Sequence, residues 1–247
     1  MGPLLLVVAL SAERRAVQAA LQDPQPDRVA SYPLIRSRFG SQAIWVLQAG
    51  LGRSRAASAV RTITRMMSCE AVWSVGFAGG LANRLRPGTC CVPGAVLIPG
   101  SSVPLTPDPR SAAVCQACHA AGLPTETGSL ITMDAPVRTP EEKRRLAQQT
   151  GAVIVDMEAA GVAAAAQALG HPWLALKAVL DVSTDRLPRA LAHAIRPSGD
   201  LSWSGLGRAL WTLPALLQLG YSSHLAARSL STALRPAVQA WTALTPS

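Results

Sequence analysis

Charge is scarce in this chain. Only 15% of its 247 residues are Asp, Glu, Lys or Arg, against 49% hydrophobic, which is lean in charge for a globular protein. The shortage falls on the acidic side: 14 carboxylates face 23 Lys and Arg, a formal charge of +9. Such an excess points to an acidic partner such as nucleic acid, phosphate or an anionic membrane. Aromatic residues are scarcer still, with two Phe and two Tyr, and the basic residues are scattered. Too few rings exist to stack bases, so nucleic acid is excluded as a partner, and the membrane stays open. No segment reaches the roughly 18 uninterrupted apolar residues that a membrane span requires. The five cysteines (69, 90, 91, 115 and 118) are odd in number. Cys115 and Cys118 form a C-x-x-C before His119, formally a haem-attachment string, but "SAAVCQACHAAG" reads as a helix. The thiols are therefore expected to be reduced and packed, as in a cytoplasmic protein, with no metal and no cofactor.

What is abundant is strand-length apolar sequence. Runs occur at Leu4–Leu10, Ala43–Ala49, Ala71–Phe77, Cys91–Ile98, Ser129–Met133, Ala152–Val155 and Trp173–Leu180. Helix-like stretches fall between several of them, at Ala12–Leu21, Arg53–Met67, Arg110–Ala121, Pro140–Gln149 and Met157–Leu169. This alternation predicts an α/β domain over residues 1–195 with a largely parallel sheet covered on both faces. The opening "MGPLLLVVALSAERR" reads as the first buried strand, because it lacks the basic start and long apolar stretch of a secretory leader. Composition shifts near residue 196. Residues 196–247 hold one acid, Asp200, and three tryptophans, Trp203, Trp211 and Trp241. They read as two helices, about Leu206–Leu219 and Ser222–Trp241, separated by Gly220. Such a basic, apolar extension either lies on a membrane interface or packs on the domain or on a second subunit.

In an open α/β sheet, ligands gather where strands end. Acids at those positions stand out because so few exist: Glu13 after the first strand, Asp134 after "GSLITM", Asp156 and Glu158 after "AVIV", and Asp181 after "WLALKAVL". Each alone would pass as a helix cap or a solvated turn residue. Glycine-rich turns follow two strands, "QAGLGRSRAA" and "SVGFAGGLAN". The first sets Arg53 and Arg55 at a helix start, a suitable place for an anion. Neither turn matches the full dinucleotide or phosphate-loop pattern.

"SVGFAGGL", "VDMEAAGVA" and "ALKAVLDVSTD", in that order and spacing, resemble the three signatures of the nucleoside phosphorylase and methylthioadenosine nucleosidase superfamily, over about residues 4–190. The resemblance implies a three-layer α/β/α sandwich around a mixed central sheet and cleavage of nucleoside N-glycosidic bonds. It also implies roles. Asp181 matches the acid that protonates the departing purine, and its apolar approach would keep a proton on it. Glu158 matches the ribose-binding Glu and Met157 the Met packed on the sugar, while Phe77, Ala78, Gly79 and Val137 fall in the substrate-binding segments. Glu13 resembles the early Glu that orients the nucleophile, with Arg14 and Arg15 in place of acids. Arg53 is the candidate for phosphate, should phosphate be the co-substrate. Asp156 is expected to support the site as a helix cap. A homodimer or higher oligomer is implied as well.

Departures from the family pattern matter. Phe77 replaces a small hydroxyl residue, Leu180 replaces a Ser beside the catalytic Asp, and Lys177 stands at a strand Arg. "MDAPV" replaces a loop whose aromatic residue stacks on the base. These changes argue against a standard methylthioadenosine enzyme. The tail "IRPSGDLSWSGLGRALWTLPALLQLGYSSHLAARSL" looks like that of the hopanoid-associated phosphorylases. That branch implies release of adenine from adenosylhopane, a lipid-linked nucleoside, by a cytoplasmic enzyme peripheral to the inner membrane face. Two other expectations stand beside it: a soluble nucleosidase for methylthioadenosine, adenosylhomocysteine or futalosine, and a catalytically inactive nucleoside-binding module.

Overall fold

The computed structural model describes residues 2–187, 198–199 and 213–244. Strand β1 (Leu4–Val8) has every residue buried, which suits a central strand covered on both faces. Its alternation sorts the two layers. Leu5 and Val7 join one core cluster, whereas Leu4, Leu6 and Val8 join another on the opposite face.

After β1 come helix α1 (Ser11–Gln18), strands β2 (Gln22–Val29), β3 (Tyr32–Phe39) and β4 (Gln42–Gln48), then helix α2 (Arg53–Met66) and strand β5 (Ala71–Gly80). Short strands β6 (Cys90–Cys91) and β7 (Val96–Leu97) precede α3 (Ser111–Ala120), β8 (Thr125–Glu126), β9 (Leu130–Thr132) and α4 (Pro140–Thr150). The described fold closes with β10 (Ile154–Asp156), α5 (Ala159–Ala168), β11 (Trp173–Asp181) and α6 (Leu213–Ala243). The strands form one sheet in the order β2-β3-β4-β1-β5-β10-β9-β7, with β11 on β5 and β6, and β8 on β6. Pairing is mixed: β1 and β11 run parallel to β5, while β10 meets the last two residues of β5 antiparallel.

Helices α2 and α5 cover one face through Ala56, Ala59, Val60, Ile63 and the alanines of α5. Their contact is close enough that a Cβ on Gly161 would lie 2.1 Å from the Arg53 carbonyl oxygen, so only glycine fits there. Helices α1, α3 and α6 cover the other face. All five cysteines are free and buried.

Two expectations change. The run Cys91–Ile98 is two short strands flanking a turn, because Pro93 and Gly94 break it. The expected break at Gly220 is absent: α6 runs through it to Ala243, since one glycine costs a helix only about 1 kcal/mol relative to alanine and a long buried stripe outweighs that. Ala226, Leu230, Ala233, Leu234, Ala237, Val238 and Trp241 form the stripe, all fully or almost fully buried. Trp241 meets Trp73 edge to face at 5.3 Å and lies 3.7 Å beneath the Arg110 guanidinium. Trp241, grouped by its sequence with a membrane-facing tail, is therefore a core residue. Trp203, Trp211 and Asp200 lie outside the described residues. No helix among the described residues is long and apolar enough to cross a membrane.

Candidate active site

The segments that follow β1, β4, β10 and β11 converge on the last residues of β5, and acids arrive there from three directions. Glu13 sits in the first turn of α1, where its carboxylate closes the helix start. Its Oε2 accepts from the Ala9 and Leu10 N–H groups at 2.8 and 2.9 Å, and its Oε1 accepts from the Phe77 N–H at 2.7 Å. This approach to β5 needs a residue without a side chain beneath it, because a Cβ on Gly76 would lie 2.4 Å from Oε1. Burial pushes the Glu13 carboxyl above the ordinary range, opposed by the Lys177 charge and the three N–H donors.

Strand β10 delivers the second pair. Asp156 is the more engaged of the two: Oδ1 accepts from the Thr132 hydroxyl at 2.7 Å, and Oδ2 accepts from the Ala159 N–H, capping α5, and from Lys177 Nζ, both at 2.9 Å. Glu158 is freer. Its Oε1 accepts one backbone bond, from Gly52 at 2.8 Å, across from the loop before α2. Burial first, and then the Asp156 charge, push the Glu158 carboxyl up to about 8. Lys177 is almost wholly buried. Burial opposes its charge, but Asp156, Glu13 and Glu158 together hold the ammonium above its ordinary range. One cation is thus shared among three acids.

Asp181 ends β11 and faces the cleft from the far side. Its Oδ2 accepts from the ammonium of Lys143, which is fully buried on α4. Burial raises the Asp181 carboxyl, against the pull of Lys143.

The cleft between these acids is lined by apolar groups. Ala9, Leu10, Leu51, Phe77, Ala78, Gly79, Ala135 to Val137, Met157, Leu180 and Leu187 line it together with the acids; Ala9, Leu10 and Phe77 adjoin Glu13 through their N–H groups, and Gly79 adjoins Asp181. The structure so brings together Glu13, Phe77, Ala78, Gly79, Val137, Asp156, Met157, Glu158 and Asp181. Arg53 is left out. It pairs with Asp134 at 3.0 Å and does not line the cleft. Among the described residues, no group of three or more His, Cys, Asp or Glu is arranged to hold a metal ion.

Sequence reasoning missed Lys143, and saw Lys177 only as a departure from a pattern. A single cation inside the apolar strand "WLALKAVLD" must find a buried counter-charge, and that signal was available for Lys177. Lys143 is flanked by Glu141, Glu142, Arg144 and Arg145, and nothing in that string marks which cation turns inward.

A sequence profile described as the phosphorylase superfamily matches residues 3–196. No curated protein matched the sequence. Among solved structures, the chain resembles the methylthioadenosine/adenosylhomocysteine nucleosidase of Neisseria meningitidis in complex with methylthio-immucillin-A. The TM-score is 0.75 at 18% identity, covering 97% of this chain and 99% of that one. It also resembles the futalosine hydrolase of Helicobacter pylori, with a TM-score of 0.76 at 15% identity and coverage of 96% and 97%. An adenosylhomocysteine nucleosidase of Streptococcus pyogenes gives 0.73 at 19% identity, covering 95% and 96%. These structural likenesses show the fold: a mixed sheet between helical layers. With the profile covering most of its length, the chain belongs to the phosphorylase superfamily.

Proposed function

We propose that the protein cleaves the N-glycosidic bond between adenine and ribose, and that its substrate is a nucleoside with a large apolar group on the 5′ carbon, adenosylhopane. One observation carries the chemistry: two carboxyls lining one cleft and delivered by different strands, Asp181 and Glu158, in surroundings that raise the proton affinity of both. As the C1′–N9 bond breaks, its electron pair moves into the purine, and Asp181 gives a proton to the ring. The sugar becomes an oxocarbenium-like cation. That new positive charge is matched by Glu158 when its carboxyl has already given its proton to solvent, so the ionised form is the reactive one and its contact strengthens as the transition state forms. Glu13, fixed by three N–H donors, holds the attacking oxygen at C1′; where that oxygen is a water's, its proton passes to the Glu13 carboxylate as the C1′–O bond forms.

The substrate assignment is supported by the lining near Glu158 and Glu13. Ala9, Leu10, Leu51 and Met157 offer a 5′ substituent apolar contact and, among the described residues, no polar side chain beyond the acids. The tail's likeness to that of the hopanoid-associated phosphorylases supports the same choice. Those relatives whose names carry methylthioadenosine, adenosylhomocysteine or futalosine define the competing substrates.

The test is release of the free base, followed chromatographically: adenine from adenosylhopane in detergent, from methylthioadenosine and from adenosylhomocysteine, and hypoxanthine from futalosine, all at equal concentration. Adenosylhopane should give the highest kcat/KM, and Asp181→Asn should lose about 10²–10⁴-fold, the range of a general acid. Preference for a soluble nucleoside would overturn the substrate, and an Asp181→Asn variant as fast as wild type would overturn the chemistry.

A further inference from the structure

We propose that Lys143 is a positioning residue for Asp181: it fixes one carboxyl oxygen and sets the pH at which the acid gives up its proton. This rests on the reading of Asp181 as the purine-side acid. The neighbours of Lys143 on α4, Glu141, Glu142, Arg144 and Arg145, are all exposed, whereas Lys143 has no exposed surface. Burying an ammonium is costly unless every donor is matched. Here the match is complete. The three N–H bonds of Nζ go to Asp181 Oδ2, to the Val182 carbonyl at 2.6 Å and to the Asp185 carbonyl at 3.3 Å. The platform is also fixed. Thr139 and Glu142 cap α4 reciprocally, and the Leu187 N–H donates to the Arg138 carbonyl at 2.9 Å, tying the loop after β11 to the start of the helix.

Two of the three acceptors are backbone carbonyls of the loop after β11, which carry no formal charge. The third is a carboxyl that lines the cleft, so the ammonium occupies Oδ2 and leaves Oδ1 for the base. Proton transfer from Asp181 to a purine nitrogen leaves a carboxylate, with the pair from the C1′–N9 bond in the ring. The Lys143 charge then faces a full negative charge where it faced a neutral acid, so the pair is stronger after transfer than before and favours it. The other charged groups around Asp181 do not duplicate this. Asp185, on the same loop, acts in the opposite direction. Asp156 of β10 is matched by Lys177 of β11, and Phe77–Gly80 of β5 carries no titratable side chain.

Two variants test it. Lys143→Met removes charge and donors; Lys143→Gln keeps donors for the two carbonyls without the charge. In both, kcat should fall about tenfold or more with KM little changed, and the alkaline limb of the kcat/KM profile should move up by about 1–3 pH units, as expected when an adjacent opposite charge is lost. Lys143→Arg should return the limb toward wild type. An infrared titration of the protonated-carboxyl stretch that disappears in Asp181→Asn reads the same midpoint without turnover. It should rise in Lys143→Gln. Unmoved limbs and midpoints, with only a loss of thermal stability, would reduce Lys143 to a structural role. If wild type releases no adenine from any nucleoside, the functional reading falls, while the infrared midpoint still decides the role of Lys143.

Discussion

Replacing Glu158 by Gln tests where the site keeps its proton. The glutamine preserves shape and can still accept from the Gly52 N–H, but it cannot ionise. In the folded protein the Glu158 carboxyl titrates at about 8, against an ordinary 4.5. The folded state therefore binds a proton that the unfolded state has lost, over the interval between those values. By linkage, the associated stability is fully present below about pH 4.5, declines as pH rises through about 8, and is gone above it. At 1.36 kcal/mol per unit, the ceiling is roughly 5 kcal/mol, and charge relaxation around Lys177 will return less. Urea unfolding of both proteins between about pH 5 and pH 9 gives the comparison. Near pH 5 the two should have similar stability; toward pH 9 Glu158→Gln should become the more stable by a few kcal/mol. Catalysis should move the other way, with kcat/KM down about 10²–10³-fold through loss of a charge aimed at the developing sugar cation. Parallel stability curves would refute the buried proton, because Glu13 and Asp181, also raised by burial, contribute equally to both proteins.

Arg53→Ala should leave adenine release unchanged whether phosphate is present or absent, since Arg53 is held by Asp134 outside the cleft; loss of a phosphate effect in the variant alone would place Arg53 in the site. Trp241→Ala should cost about 3–5 kcal/mol in urea unfolding, the range for emptying a buried large aromatic site, because Trp241 is wholly buried against Trp73; a cost under about 1 kcal/mol would mean that α6 is loosely held.

The central strands were legible because a strand buried on both faces must be apolar throughout, and "LLLVV" or "WLALKAVL" cannot be much else. The hairpin of β2 and β3 was not. Strand β2 reads "QDPQPDRV", exposed along nearly its whole length. It has no apolar face to alternate, and its prolines are tolerated because it is an edge strand. The Asp27–Arg36 pair across that hairpin, at 2.6 Å, joins residues nine apart that no pattern links beforehand. The candidate acids were legible for a different reason: in a chain with few carboxyls, those at strand ends are conspicuous. Which of them would be more engaged and which freer depends mostly on partners from distant segments. Thr132, Ala159 and Lys177 take three bonds to Asp156, whereas Gly52 alone bonds Glu158.

The net charge of +9 says nothing of the cleft, where the ionisable side chains among the described residues are all carboxyls. Glu13, Asp156, Glu158 and Asp181 line it, and no Lys or Arg does among the described residues. Lys177 and Lys143 neutralise those acids from behind the wall, each buried and each facing a carboxyl rather than the opening. A ligand entering the cleft therefore meets acceptors, acids and apolar surface. Ribose hydroxyls, which donate, and a purine that gains a proton as it leaves, suit that lining. A 5′-phosphate does not: it would bring negative charge beside Glu158 and Glu13, in a setting where water is too scarce to screen it. An uncharged 5′ substituent removes that repulsion, and an apolar one gains contact with Ala9, Leu10, Leu51 and Met157 at about 25 cal/mol per Å² buried. The buried lysines thus bear on substrate choice as well as on proton affinity. By compensating the acids without lining the cleft, they let four carboxyls share one site, and among the described residues no cation stands there to attract a nucleotide.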